Sequence, residues 1–145
     1  MGKKRIIKKG AVETMAESKS RILARAPKHK ISRGILHIES TYNNTRLTLT
    51  DEKGNTILWG SAGSMGFKGT KKGTPYAASK IANTLGEKAK LFGLKEVDIV
   101  VKGVGAGRES AIRSFVANGG IDVLTIKDKT PIPHNGPKPS KPRRV

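Results

Sequence analysis

From residue 34 the apolar and polar positions alternate, with Ile35, His37 and Glu39 on one side and Leu36, Ile38 and Ser40 on the other, which predicts a strand over 34–40. Tyr42, Asn43 and Asn44 then offer a turn. Leu47 and Leu49 alternate with Thr48 and Thr50 in a second strand, 51–55 reads as a hairpin loop, and 56–59 is a third strand. Three strands so close in sequence predict an antiparallel meander. Next, Ala78, Ile81, Ala82, Leu85, Ala89 and Phe92 recur at helical spacing, which predicts a helix over 75–91 ending near Gly93, its apolar stripe on the sheet. Thr74 suits the N-cap and Pro75 the first helical position. Val97, Ile99, Val100 and Val101 form a near-continuous apolar run, the pattern of a buried central strand reached by a right-handed crossover. Glycines at 103, 105 and 107 lead into a second helix, from 108 to about 118, with Ala111, Ile112, Phe115 and Val116 as its buried face. The glycines at 119 and 120 end it, and 121–127 is a last strand. Five prolines between 131 and 142 forbid regular structure beyond that strand.

The order βββαβαβ predicts an α/β fold with a mixed sheet and helices packed on it, the ribonuclease-H-like layout. Three parts are expected: a basic N-terminal extension (1–33), the α/β domain (34–130) and a proline-rich basic tail (131–145). Charge sharpens this division. The 145 residues carry 29 Lys and Arg against 11 Asp and Glu, a formal net charge of +18. Residues 1–33 hold 11 basic and 2 acidic groups, and the tail holds 4 basic groups and no acidic one. Such a balance asks for a polyanionic partner.

The absence of cysteine removes disulfides, Cys-based zinc sites and thiol nucleophiles, and points to a cytosol-like compartment. No apolar run reaches the roughly 20 residues that a membrane span needs, and a secretory leader is not expected. An organellar transit peptide is less easily set aside, because the first 30 residues are rich in Lys and Arg, although Glu13 and Glu17 argue against it.

The stretch S-A-G-S-M-G-F-K-G-T-K-K-G-T-P-Y (61–76) carries the clearest chemistry. Gly63, Gly66, Gly69 and Gly73 allow positive φ and close approach of backbone to a ligand, and Lys68, Lys71 and Lys72 supply cations between them. The loop feeds a helix N-terminus, so backbone N–H groups and the positive dipole end should face an anion. Lys68 precedes Gly69 and Thr70, which is not the order of a nucleotide-binding P-loop. The second glycine loop misses the dinucleotide fingerprint, because Arg108 stands where the third glycine belongs; Arg108 and Arg113 fit a second phosphate contact instead. Aromatic residues are 4% of the chain, so contacts to phosphates, 2′-hydroxyls and shape should outweigh base stacking.

Catalysis finds little support. A metal-dependent nuclease would need converging carboxylates, for which Glu39, Glu87 and Asp98 are the candidates, yet Lys102 stands at the end of the fourth strand. His29, His37 and His134 lack metal-ligand spacing, and no nucleophile elbow is present. No metal or other cofactor is expected. A nonspecific DNA-compacting protein is a weaker reading. In the tail, Asn135-Gly136 has the sequence that favours isoaspartate formation.

Four motifs together resemble the small-subunit ribosomal protein eleven family: H-I-E-S-T-Y-N-N-T (37–45), the glycine and lysine stretch (61–78), V-K-G-V-G-A-G-R-E-S-A-I-R (101–113) and T-P-I-P-H-N-G (130–136), with the R-R-V end. The likeness covers roughly 33–145. It implies a ribonuclease-H-like fold without catalysis, bound to small-subunit rRNA in the ribosomal platform near the messenger RNA exit, with neighbouring proteins of platform and head. By motif it places RNA contacts on Asn43, Asn44, Lys68, Lys71, Lys72, Gly103, Arg108 and Arg113, and in the tail on His134, Asn135, Lys138, Lys141, Arg143 and Arg144. The resemblance implies a ribosome-bound protein of the cytoplasm or an organelle. Val104 and Ala106 stand where the family usually has prolines, and Pro137-Lys138 where it often has Cys-Arg.

Overall fold

The structure is a computed structural model that describes residues 31–141. Its strands are β1 (Arg33–Ser40), β2 (Thr45–Thr50), β3 (Thr56–Ser61), β4 (Glu96–Lys102) and β5 (Asp122–Asp128); its helices are α1 (Pro75–Leu91) and α2 (Arg108–Gly119). A short 3-10 turn, Gly69–Gly73, precedes α1. The sheet order is β3-β2-β1-β4-β5, with β1 to β3 antiparallel and β1, β4 and β5 parallel. This is the mixed α/β sheet that the hydrophobic pattern predicts.

The topology also fixes where the helices lie. The two crossovers, β3 to β4 through α1 and β4 to β5 through α2, run in the same direction across the sheet. Right-handed crossovers in one direction place their helices on one face. The two helices accordingly share a single core with Leu36, Ile38, Leu47, Leu49, Val97, Ile99 and Val101. β4 is an inner strand between β1 and β5, as its apolar run predicts, but the helices bury only one of its faces. Val97, Ile99 and Val101 are buried under the helices, whereas Asp98 and Val100 are half-exposed on the opposite face.

Helix α1 begins as its sequence dictates. The Thr74 hydroxyl accepts from the Ala77 amide at 3.3 Å and donates to the Lys71 carbonyl at 2.7 Å, and Pro75 fills the first turn. Its buried stripe of Ala77, Ala78, Ile81, Ala82, Leu85 and Ala89 is mostly small, so the helix lies close to the sheet. At Gly60 an added Cβ would meet the side chains of Leu85 and Ile81. The helix pair is equally tight, since a Cβ on Gly86 would stand 3.3 Å from both the Gly119 amide and the Phe115 carbonyl. Gly119 is the last residue of α2 and Gly120, at φ +53°, makes the left-handed cap, so the two glycines end the helix as expected while Gly119 also packs against Gly86. Phe115 is fully buried between the layers, and its truncation to alanine should cost about 3–5 kcal/mol.

Candidate nucleic-acid interface

The ends of β1, β3, β4 and β5, the start of β2 and the N-termini of both helices all meet at one edge of the sheet. This is the edge where open α/β sheets bind ligands. Residues 41–44, 61–73 and 103–107 form its loops. The first is a tight turn in which the Thr41 amide donates to the Asn44 carbonyl at 2.8 Å, and the Thr41 hydroxyl accepts from the Asn44 amide at 3.1 Å.

Glycines hold the other two loops against this turn. An added Cβ would run into the Tyr42 carbonyl at Gly73, the Ser40 carbonyl at Gly103 and the Thr41 carbonyl at Gly105. In the long loop the expectation of four glycines at positive φ holds for Gly66 (+88°) and Gly69 (+59°) alone. Gly73 is required for space rather than for its φ, and Gly63 meets nothing closer than 4.0 Å. Close approach brings Asn43 beside the start of α1. Lys68 and Lys71 project outward and Lys72 is half-exposed, immediately before the capped N-terminus of α1.

Helix α2 starts at the same edge. A groove of about 410 Å³ runs between the two helix N-termini and is lined by Pro75, Gly105, Ala106, Arg108, Glu109, Ser110 and Arg113. Arg113 is well exposed and pairs loosely with Glu109 at 3.4 Å. Arg108 has a different setting. Its guanidinium donates to the Gly103 carbonyl, to the Thr130 hydroxyl at 3.3 Å and to the Asp128 carboxylate. The Thr130 hydroxyl also accepts from the Gly103 amide at 3.2 Å and donates to Asp128 at 2.6 Å. Arg108, followed by Thr130, holds the Asp128 carboxyl far below the usual carboxylate range. The network ties the end of β5 to the glycine loop and so fixes where the tail departs.

Tail residues His134, Asn135, Lys138 and Lys141 are exposed and lie in no helix or strand. Asn135 has φ +56°, a left-handed conformation that Asn tolerates. Arg143 and Arg144 lie outside the described residues, as do residues 1–30 of the basic extension. Beneath the glycine loop, Ser40 Oγ and Thr45 Oγ1 are buried without a hydrogen-bond partner among the described residues, as is Asn44 Oδ1 in the adjoining turn. Each such atom costs about 1–3 kcal/mol.

Glu39, Glu87 and Asp98 do not converge: among the described residues no three His, Cys, Asp or Glu side chains group to hold a metal ion. Glu39 pairs with Arg46 at 3.7 Å, Glu87 is exposed on α1, and Asp98 accepts from Thr125 at 2.6 Å and Arg33 at 2.9 Å. Thr125 and then Arg33 hold the Asp98 carboxyl below its ordinary value. The Arg108 network was not apparent from sequence, although Asp128 and Thr130, two residues apart before Pro131, carry the signature of a side-chain-capped turn.

A two-layer α/β fold that gathers glycine loops, two helix N-termini and cations at one sheet edge is built to hold a polyanion. The chain belongs to the Ribosomal protein S11 family, whose sequence profile matches residues 34–144. It is 53% identical over 129 residues to the small ribosomal subunit protein uS11 of Thermosipho africanus, covering 89% of this chain and 99% of that one. The uS11 of Helicobacter pylori is 56% identical over 118 residues, covering 81% and 90%. That of Wolinella succinogenes is 52% identical over 131 residues, covering 90% and 100%. Among the described residues no helix is long and apolar enough to cross a membrane.

Proposed function

We propose that the protein is a structural, non-enzymatic constituent of the small ribosomal subunit that binds its rRNA through the loop edge of the sheet. The observation that carries this reading is the meeting of three loops and two helix N-termini at one edge, in a chain of the Ribosomal protein S11 family. In this reading Lys68, Lys71 and Lys72 contact phosphates beside the α1 N-terminus, and Asn43 and Asn44 contact sugar or phosphate from the adjoining turn. Arg113 serves the groove at the α2 N-terminus. Arg108 and Gly103 shape the second loop, and one face of the Arg108 guanidinium reaches the RNA. His134, Asn135, Lys138, Lys141, Arg143 and Arg144 extend the contact along the tail. Stiff proline segments lose little entropy when they dock in this way.

On the ribosome the protein occupies the platform near the messenger RNA exit. Leu124 and Ile126, exposed on the edge strand β5, are the surface for a neighbouring ribosomal protein. Reconstitution of the small subunit with the Lys68→Ala, Lys71→Ala, Lys72→Ala variant tests the reading. The wild-type protein protects a defined set of rRNA nucleotides from chemical probes, and the variant loses a contiguous part of that set. An unchanged protection pattern removes the loop from the interface.

A further inference from the structure

The two faces of the sheet are unequal. Helices cover one; on the other, among the described residues, no helix packs, and β1 to β3 present the cross-strand row His37, Thr48 and Trp59 beside the row Glu39, Arg46 and Ser61. Trp59 is the chain's one tryptophan, and it is 64% exposed. A large indole held in water on a rigid strand is a binding feature rather than a packing one.

The surroundings of the indole identify what it binds. Trp59 forms one wall of an open cleft of about 420 Å³ whose other lining residues are Asn44, Arg46, Thr48, Thr56 and Ser61. The cleft thus offers a flat π face, one guanidinium, one side-chain amide and three hydroxyls, and no carboxylate lines it. An apolar protein segment would leave the amide and hydroxyls unpaired, and a basic peptide would meet Arg46. A nucleobase satisfies all of them, stacking on the indole while its edge bonds to the amide and hydroxyls.

Position adds a second argument. Asn44 belongs both to the turn at the loop edge and to the wall of this cleft, and Trp59 lies two residues before the end of β3. At about 3.3 Å per residue, the indole is within one nucleotide of the cationic edge. Composition argues against stacking as the main mode, but the placement of the few aromatics qualifies that: Tyr42, Trp59 and Tyr76 are all exposed, and all lie at or next to this edge.

We propose that the cleft takes one unpaired RNA base, stacked on Trp59, from a strand whose phosphates lie on the loop edge. The proposal rests on the rRNA-binding reading and adds a base-binding site to it. Because Trp59 is the sole tryptophan, its fluorescence reports on the cleft directly. The full-length protein is titrated with a short oligoadenylate and, separately, with inorganic polyphosphate, and rRNA binding is measured in parallel by filter retention. Oligoadenylate is expected to quench the emission and polyphosphate to bind without quenching. Trp59→Ala should weaken oligoadenylate binding about tenfold, with Trp59→Phe close to wild type. Unchanged circular dichroism confirms that each variant is folded. If oligoadenylate binds without quenching, or Trp59→Ala binds it as well as wild type, the base site is overturned while the rRNA reading stands. Failure of the wild type to retain rRNA overturns the underlying reading.

Discussion

Two glycine substitutions at the loop edge, with Gly54 in the hairpin at the opposite end of the sheet as the reference, separate backbone conformation from close approach. Gly54 has φ +90° with nothing within 4 Å of an added Cβ, so alanine there pays conformational strain alone. Gly105 lacks the positive φ, but its Cβ would collide with the Thr41 carbonyl and the Ser40 hydroxyl. Gly103 combines both, with φ +100° and a Cβ driven into the Ser40 carbonyl. A left-handed conformation costs a non-glycine residue about 1–2 kcal/mol, of which about 0.4–1 is offset by the stiffer unfolded chain. Overpacking costs about 1–3 kcal/mol, and the nearest neighbours, the Thr41 and Ser40 carbonyls, are backbone atoms with little room to move. The expected losses are therefore about 1 kcal/mol for Gly54→Ala, about 2 for Gly105→Ala and about 3 for Gly103→Ala. Urea unfolding followed by far-ultraviolet circular dichroism resolves them. At a slope of about 1.5 kcal/mol per molar urea, the Gly103→Ala midpoint falls by about 2 M. Equal midpoints for Gly103→Ala and Gly54→Ala would refute the claim that the loops are held together by close approach at these glycines.

Removing the cap with Thr74→Ala should cost about 1 kcal/mol, read from the same urea transition, because the Ala77 amide loses its acceptor. Acid should release the tail anchor. The folded-state pKa of Asp128 is depressed, so its contribution is complete above the unfolded value of about 3.9 and is lost as pH falls below it. The amide chemical shift of Thr130, which bonds to Asp128 at 2.8 Å, should hold steady near neutrality and move in strong acid, and Asp128→Asn should abolish that titration. Incubation with an RNA–DNA hybrid and Mg²⁺ should leave the hybrid intact; cleavage that disappears in Glu39→Gln would contradict the non-enzymatic reading.

Periodicity made the elements legible because each strand and helix buries one face against a common core. The start of α1 is one such case, where Thr74 and Pro75 act through local geometry that sequence carries in full. Helix α2 shows where legibility ends. Gly119 ends the helix as its sequence suggests, but its second role, close packing against Gly86 33 positions away, has no local signal. The Arg108 network is also non-local, joining the start of one helix to the end of the last strand. The apolar run of β4 marked an inner strand, but that the helices cover only one of its faces followed from the direction of the crossovers. Of the candidate site, the lysine loop could be named from sequence, because glycine, cation and cap coincide within 20 residues, whereas Asn43 and Asn44 could be named by the family resemblance alone. The cleft at Trp59 could not, since its walls come from two strands and a turn that meet only through the sheet register.

The salt dependence of rRNA binding tests the central claim most directly. Each phosphate neutralised by Lys or Arg adds about 0.7–0.9 to the slope of log affinity against log salt concentration. If Lys68, Lys71 and Lys72 each contact a phosphate, replacing all three with alanine lowers the slope by about 2–3 and weakens binding most at low salt. An unchanged slope, whatever the affinity, would contradict the account.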